Sequence, residues 1–276
     1  DKAKEGYRLD RTENLPLTIS EISENNLINV YYKLIDDLSY KVEYYYDGEH
    51  DTSKDYTEEN VVYGTLTTYR EIGHTGYYKV KEESTGVKVV DDTIIVRVYY
   101  ETINDLSYKV EYYFDGKHDT SKDYTVNNVV YGTKTTYINK NKTGYKFSRV
   151  ENNNVTVKDN TITVRVYYVK DQFSYTVKYY YDEILDDAAT ETDTATYEDV
   201  INSYKDKAKE GYRLDRTENL PLTISEISEN NLINVYYKLI DDLSYKVEYY
   251  YDGKHDTSKD YTEENVVYGS TTTYID

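Results

Sequence analysis

The chain has 276 residues, of which 38% are hydrophobic and 31% are charged, and 39 are tyrosines. Its net charge of −19 argues against partners such as nucleic acid or an anionic membrane, because binding to either needs lysine and arginine to replace counterions. The absence of cysteine excludes disulfides, thiolate catalysis and cysteine-based metal centres. The tyrosines, with valine and isoleucine runs between them, predict a folded, β-rich protein.

Internal repetition determines the predicted domain organisation. Residues 1–69 recur as residues 206–274 with three differences. Within this long repeat, a strand-like segment that begins at Tyr40 recurs from Tyr108, Tyr175 and Tyr245, at spacings of 68, 67 and 70 residues. The sequence therefore predicts tandem modules rather than one or two ordinary domains.

Each predicted module opens with a strand and a turn. Side chains from Tyr40 to Asp47 alternate between two faces, the pattern of a strand with one buried face. The polar pair Asp47-Gly48 indicates a turn. The residues predicted to face the core are Tyr40, Val42, Tyr44 and Tyr46.

The second half of each module predicts further strands and a short helical segment. Val61–Tyr63 and Tyr77–Lys81 are predicted strands, and the closing strand faces the core through Ile94, Val96, Val98 and Tyr100. Thr67–Ile72 can form one or two helical turns, and Asp199–Lys209 contains better helix formers. The predicted fold class is therefore β-rich α+β.

The predicted boundaries follow the repeats. Residues 1–38 are the C-terminal part of a module with its linker, and 39–106, 107–173 and 174–243 are complete modules. The last of these diverges in an acidic loop, and residues 244–276 are the N-terminal part of a module like the first. The phase stays open, because four permuted units cut near residues 1, 71, 139 and 206 fit the same sequence.

Short linkers predict restricted motion between modules. An apolar residue precedes serine at the end of each linker and is expected to pack at the joint, so neighbouring modules of the same chain are predicted partners. A short linker with a buried anchor favours a semi-rigid, elongated rod over loosely tethered domains. These apolar residues are Leu38, Leu106, Phe173 and Leu243.

Three motifs recur in order along each module. A Val-x-Tyr strand ends in Asp-Gly (42–48), a Gly-Tyr pair follows at Gly76-Tyr77, and a Val-x-Val-x-Tyr strand (96–100) closes the module. In this order the motifs resemble the MucBP (mucin-binding) repeats of Gram-positive surface proteins. The resemblance implies a small β-grasp-like module on a cell-wall-anchored extracellular protein, with host mucin glycans as candidate partners.

A row of tyrosines is predicted on the face opposite the core. Flat rings with a hydroxyl group suit stacking on sugars and hydrogen bonding to them. The alternative is cross-strand packing that stiffens the sheet. The candidate glycan contacts are Tyr45, Tyr99, Tyr113, Tyr167, Tyr180, Tyr236 and Tyr250.

Two polar loops carry the candidate metal ligands. One contains Asp-Gly-x-His-Asp, and the divergent loop of the third module is rich in aspartate. Carboxylate oxygens suit Ca²⁺, although the spacing does not match an EF-hand loop, and an ordinary polar turn is the alternative. No other cofactor is expected. The candidate ligands are Asp47, His50, Asp51, Asp182, Asp186 and Asp187.

Two functions are compatible with these observations. The modules can form the repeat stalk of an adhesin that projects a binding region from the bacterial cell wall, or they can themselves bind mucin glycans multivalently. Catalysis is not expected, because no nucleophile–base set or phosphate-binding loop is present in the sequence. No apolar run reaches transmembrane length, so this segment is not expected to insert into a membrane.

Overall fold

The computed structural model describes residues 3–276, and this part of the protein is all-β. Its only helical elements are three single 3-10 turns, at Ser23–Asn25, Thr120–Lys122 and Ser228–Asn230. The predicted α component is therefore absent from the described residues. Thr67–Ile72 has no regular secondary structure, and Asp199–Lys209 contains the two-residue strand Val200–Ile201 in place of a helix.

The first elements form a hairpin followed by a five-stranded sheet. In the hairpin, β1 (Tyr7–Glu13) pairs antiparallel with β2 (Asn29–Leu34). In the sheet, β3 pairs antiparallel with β4 and β5 at one edge and parallel with β7 at the centre, and β7 pairs antiparallel with the other edge strand, β6. The strands are β3 (Leu38–Tyr46), β4 (Glu49–His50), β5 (Tyr56–Val61), β6 (Tyr77–Glu83) and β7 (Ile95–Thr102).

The second sheet repeats this strand order, with β10-β8-β12-β11 along the sheet and β9 paired to β8. Each position corresponds to one in the first sheet, so the closely related sequences of the two modules give the same order of neighbours. The strands are β8 (Leu106–Phe114), β9 (Lys117–His118), β10 (Tyr124–Val129), β11 (Tyr145–Glu151) and β12 (Thr163–Lys170).

The third sheet again has a parallel central pair, formed by β13 and β19. A small two-stranded sheet, β16 with β18, lies outside its path. The strands are β13 (Gln172–Tyr181), β14 (Ile184–Leu185), β15 (Glu191–Thr196), β16 (Val200–Ile201), β17 (Tyr212–Glu218), β18 (Leu222–Thr223) and β19 (Leu232–Leu239). Two strand pairs follow, made by β20 (Leu243–Val247) with β23 (Tyr261–Val266) and by β21 (Tyr250–Tyr251) with β22 (Lys254–His255).

Contacts between backbone positions divide the chain into two compact units. Among the described residues, one comprises 3–110, 124–136 and 152–164 and includes the first sheet; the other comprises 111–123, 137–151 and 165–276 and includes the third sheet. The module boundaries and the permuted phase stay predictions.

One face of each central strand forms the core, as the alternating pattern predicted. In the first sheet, Val42, Tyr44, Val96 and Val98 have no solvent exposure. The linker residue Leu38 also joins this core cluster, so it packs within the module. Leu106 of the next linker is buried in the same way, whereas Leu243 is exposed.

Tyrosine hydroxyls hold the crossover segment (residues 62–76), which connects β5 to β6 across the core face. Tyr40 donates to the Thr68 carbonyl at 3.1 Å, and Tyr44 donates to the Arg70 carbonyl at 2.6 Å. The accepting carbonyls are two residues apart, which is the period of an extended chain and not of a helix. The segment is therefore extended because the sheet supplies partners for its backbone groups, which a helix would have satisfied internally.

Similar bonding recurs in the later modules, although the third uses Tyr179 and Tyr181, the equivalents of Tyr44 and Tyr46. Tyr108 and Tyr112 bond to Thr136 and Ile138, Tyr179 and Tyr181 to Lys205 and Lys207, and Tyr245 and Tyr249 to Thr273 and Ile275, always through the hydroxyl to the backbone carbonyl. The high tyrosine content thus has a structural reason, since phenylalanine lacks the hydroxyl that makes these bonds.

Two segments of identical sequence have different burial. Residues 1–38 repeat as residues 206–243, yet Ile19 is 76% exposed and Ile224 is 1% exposed, and Val30 is 49% exposed and Val235 fully buried. In the third sheet β19 pairs with β13, whereas β2 pairs only with β1. Burial of this half of a module therefore depends on the strands of the other half.

This difference predicts two rates of amide hydrogen exchange for one peptide sequence. The peptides Tyr7–Glu13 and Tyr212–Glu218 have the same sequence and mass. A mass spectrum of the exchanging protein should therefore show two isotope envelopes of equal intensity. The amide exchange rates of the two should differ by at least about tenfold. Thr12→Ser shifts the mass of one copy and should assign the faster envelope to β1. A single envelope would contradict the dependence on the other half.

Buried tyrosines predict loss of stability in alkali. Burial, followed by the hydrogen bond to Glu71, raises the pKa of Tyr100 to about 12, and burial with the nearby Glu191 charge raises the pKa of Tyr179 to about 12. A free tyrosine titrates near 10, so stability from these neutral hydroxyls is complete below about pH 10 and is lost as pH rises toward 12.

Ultraviolet absorbance of the phenolate and circular dichroism measure this loss together. We expect one group of tyrosines to ionise near pH 10 with the β signal intact, and a second group to ionise only as that signal disappears. Ionisation of all tyrosines in one step near pH 10, without loss of the β signal, would contradict the prediction.

Candidate functional site

The tyrosines on the outer face of the first sheet form a stacked ladder across four strands. The Tyr45 ring stacks on Tyr99 with centroids 4.9 Å apart and on His50 at 4.8 Å, and the Lys81 ammonium lies 4.3 Å from the Tyr99 centroid. Parallel pairing places Tyr45 of β3 opposite Tyr99 of β7, and antiparallel pairing places it opposite His50 of β4. We call this set, in strand order Lys81, Tyr99, Tyr45 and His50, the tyrosine ladder.

The ladder recurs with changes at its ends. In the second sheet Arg149 replaces the lysine, 3.8 Å from the Tyr167 centroid, and Tyr167 stacks on Tyr113, which stacks on His118. In the third sheet Arg216 lies over Tyr236, which stacks on Tyr180 at 4.6 Å, and Leu185 stands opposite Tyr180 where the other modules have histidine.

Glu43 connects the ladder to the charges beneath it. It is buried and accepts hydrogen bonds from Lys41 at 2.9 Å, Tyr45 at 3.0 Å and Arg97 at 3.2 Å. Burial alone would raise its pKa, but the bonds from Lys41 and Tyr45 hold that pKa below the usual value. Glu43 is therefore an ionised acceptor that fixes the tyrosine hydroxyl in place.

The structure places six of the seven predicted glycan-contact residues in these ladders, as three stacked pairs. Both ring faces of Tyr45 are covered, by Tyr99 and His50, and its hydroxyl is bonded to Glu43. Tyr99 and Tyr167 likewise donate to Glu83 and Glu151. Tyr250 stacks only on His255 and is 58% exposed. This geometry supports cross-strand packing, and glycan contact by the seven tyrosines stays a prediction.

The predicted metal ligands do not come together as one set. Asp47 accepts from the backbone and hydroxyl of Thr102 at 2.8 and 2.7 Å, Asp51 accepts from Ser53, and His50 lies 2.9 Å from Asp55. In the third module, Asp182 accepts from Tyr212, Asp186 pairs with Lys209 at 2.7 Å, and the Asp187 carbonyl accepts from the Thr190 amide.

A different acidic set is closer together. Ligand atoms of Glu43, His50 and Asp55 lie within 4.8 Å of one another, and Glu248, His255 and Asp260 repeat the arrangement. The Lys41 ammonium already bridges Glu43 and Asp55, at 2.9 and 3.2 Å. Metal binding at these loops stays a prediction.

A second recurring feature is the joint between successive modules. At the joint after β6–β7, the Ile103 amide donates to the Gly76 carbonyl at 2.9 Å, and the Tyr131 amide donates to the Ile103 carbonyl at 2.7 Å. The Tyr131 ring packs directly on Gly76, where a Cβ would lie 2.5 Å from the Tyr131 Cδ1 atom. Gly76 also has a φ of +90°, which disfavours any other residue.

The joint occurs four times with the same backbone bonds. Gly6, Gly144 and Gly211 each accept from a linker amide, and the carbonyl of that linker residue accepts from the amide of a tyrosine whose ring covers the glycine. At two joints the tyrosine hydroxyl adds a bond to the glutamate before the glycine. The joints are Gly6–Ile35–Tyr63, Gly76–Ile103–Tyr131, Gly144–Asp171–Tyr197 and Gly211–Ile240–Tyr268, with the extra bonds Tyr63 to Glu5 and Tyr268 to Glu210.

The joint tyrosines were missed in the sequence, where Val61–Tyr63 was predicted to be a strand. β5 ends at Val61, so Tyr63 lies beyond the strand. The sequence does contain a signal that could have identified them. A tyrosine follows the second strand of every module, and it recurs once for each glycine of the Gly-Tyr pairs. In the sequence alone, the Gly-Tyr pair contributes only to the resemblance to MucBP repeats.

Comparisons with known proteins leave the family unassigned. No family model matches the chain, and no curated protein matches it. Among solved structures it is similar to two B repeat units of the collagen binding protein of Staphylococcus aureus, with 12% identity, 85% of this chain and 90% of that chain covered, and a TM-score of 0.17. At that TM-score no property is transferred, and the resemblance to MucBP repeats rests on the sequence motifs alone.

Within residues 3–276, no helix has the length and apolar character needed to cross a membrane.

Stacking in the ladder predicts a measurable coupling between Tyr45 and Tyr99. Aromatic pairs contribute about 0.5–1.5 kcal/mol beyond the area that they bury. In a double-mutant cycle with Tyr45→Ala and Tyr99→Ala, we expect a coupling of about that size in the free energy of local opening, measured by amide exchange in β3 and β7.

Tyr45→Ala combined with Tyr78→Ala is the matched control, because Tyr78 lies on β6 with its hydroxyl on Glu101 and outside the ladder. The control pair should show coupling below about 0.5 kcal/mol. Equal coupling in the two cycles would show that stacking does not stabilise the sheet.

Proposed function

We propose that the chain is part of the repeat stalk of a bacterial cell-surface adhesin, which projects a binding region away from the cell wall. In this proposal the protein is extracellular and wall-anchored, it has no enzymatic activity, and its modules act as spacers. The observation that carries the proposal is the joint, which recurs four times with the same backbone bonds and the same tyrosine-on-glycine packing.

The joint chemistry supports a stiff connection. Two backbone hydrogen bonds fix the linker residue between its neighbours, and the tyrosine ring closes the space over the glycine. A flexible tether would instead have a solvated linker with few contacts across it. A spacer made of many small modules gains length by duplication, and the near identity of residues 1–69 and 206–274 is consistent with that history.

The strand arrangement supports a β-grasp-like module, which is the fold that the resemblance to MucBP repeats implies. The first and last long strands, β3 and β7, are parallel at the centre of the sheet, with antiparallel strands outside them. A β-grasp usually has a helix across this face. We infer that the extended crossover segment takes its place here, held by tyrosine hydroxyls.

The stalk proposal predicts a narrow distance distribution across one joint. The chain has no cysteine, so spin labels can be attached at Glu49→Cys and Lys158→Cys on either side of the Gly76–Tyr131 joint. We expect pulsed electron paramagnetic resonance to give one narrow distribution. Tyr131→Ala should broaden it at least about twofold, because the ring that covers Gly76 is lost.

Tyr63→Ala is the matched control, because it makes the same change at the Gly6 joint, which does not lie between the labels. That variant should leave the distribution unchanged. A distribution in the unmodified joint that is already as broad as in Tyr131→Ala would mean that the joints are flexible, and the stalk proposal would fail.

A further inference from the structure

The third module differs from the others where β15 meets its crossover segment. In the first sheet Tyr56 stands opposite Val42, and its hydroxyl accepts from the Arg70 amide at 3.0 Å. In the third sheet Glu191 takes the same register position, opposite Val177. The Tyr56 ring of the first module is thus replaced by the Glu191 carboxylate in the third.

A pocket of about 280 Å³ opens at this position. Tyr175 and Tyr204 supply aromatic walls, Val177 supplies an apolar surface, and Glu191, Asp193 and Lys205 lie around them. In the first module, Tyr40 bonds to both the amide and the carbonyl of Thr68 and closes the corresponding gap. Within the part of the chain that the structure describes, Tyr175 makes no such bond to its crossover segment.

Carboxylates dominate the charge around the two rings. Burial raises the pKa of Tyr175, and the charges of Asp193 and Glu191 raise it further; the pKa of Tyr204 is raised by burial and by Asp206. Glu191 is already paired with Lys207 at 2.7 Å, and the Lys205 ammonium lies 3.9 Å from the same carboxylate.

Asp193 is the carboxylate left for a ligand. It stands opposite Tyr175 in the β13–β15 register, and one of its oxygens accepts from the Thr194 amide at 2.7 Å. Among residues 3–276, no lysine or arginine forms an ion pair with it. A cation in the pocket would therefore meet a carboxylate that no lysine or arginine pairs with, beside two tyrosine rings.

Cations of the chain itself lie over tyrosine rings in all three modules, including the Lys207 ammonium 4.9 Å from the Tyr179 centroid in the third. The Arg70 guanidinium lies 4.4 Å from the Tyr56 centroid, and the Lys140 ammonium lies 5.1 Å from the Tyr112 centroid. Aromatic faces attract ammonium and guanidinium groups, and the attraction grows as water is excluded. Cation–π contacts between residues of the chain itself therefore already occur in this fold.

We propose that the pocket of the third module binds an alkylammonium group, with the cation against Tyr175 and Tyr204 and with Asp193 as its counter-ion. A lysine side chain and a trimethylammonium headgroup share this chemistry. The site is independent of the stalk proposal, because it concerns one module and not the joints.

Ligand-observed saturation-transfer NMR on the full chain tests the site at fixed ionic strength. The probes are n-butylammonium, which represents lysine, and choline, which represents a trimethylammonium headgroup; 3,3-dimethyl-1-butanol is the neutral isostere of choline. We expect saturable binding of at least one cation and a dissociation constant at least about fivefold weaker for the neutral alcohol.

Two variants locate the site. Glu191→Tyr restores the ring of the other modules and should abolish binding, with an unchanged β-sheet circular dichroism spectrum as the folding check. Asp193→Asn should weaken binding at least about threefold. Glu58→Gln is the matched control, because Glu58 stands opposite Tyr40 as Asp193 stands opposite Tyr175, and it should have no effect.

The proposal is overturned if neither cation binds saturably, if the neutral alcohol binds as well as choline, or if Glu191→Tyr binds as the unmodified chain does. A preference for n-butylammonium would indicate a lysine side chain as the natural occupant, and a preference for choline would indicate a trimethylammonium headgroup.

Discussion

The hydrogen bonds from tyrosine hydroxyls to the crossover segment are the constraint on which each module depends. A single sheet has two faces, and one must be covered by a segment whose backbone groups also need partners. Here the covering segment has no helix, so Tyr40 and Tyr44 supply those partners from the sheet. Replacing the bonds with apolar packing would leave partly buried carbonyls without these donors, which is more destabilising than the loss of a ring contact alone.

Because of this constraint, both halves of a module contribute to its core. The first half supplies β3 and β5 with the tyrosines, and the second supplies β6 and β7 with the closing core residues. Residues 1–38 and 206–243 show the consequence, because the same sequence buries Val235 and leaves Val30 exposed. Neither hairpin has a core of its own, so the parallel pairing of the central strands is the contact that completes the module.

The sequence predicted those features that depend on local pattern. Alternation along Tyr40–Tyr46 and Ile94–Tyr100 indicated the central strands and their core faces correctly. The helical segments were wrong because local propensity does not include the long-range hydroxyl bonds from Tyr179 and Tyr181 that hold Lys205 and Lys207 against the sheet. The ladder and the joint were not visible for a similar reason, since Tyr45 meets Tyr99 and Gly76 meets Tyr131 only after the chain has folded.

The edges of the sheets add a further requirement on a protein with many exposed strands. Unpaired edge strands promote pairing between molecules, and a bulge disrupts the regular row of donors and acceptors that such pairing needs. The edge strands β1, β6, β11 and β17 all change register at the same place, between Lys79 and Lys81 in β6. With a net charge of −19, identical surfaces also repel one another. Each duplication of the module therefore adds a joint and a ladder, together with an edge strand that carries its own register shift.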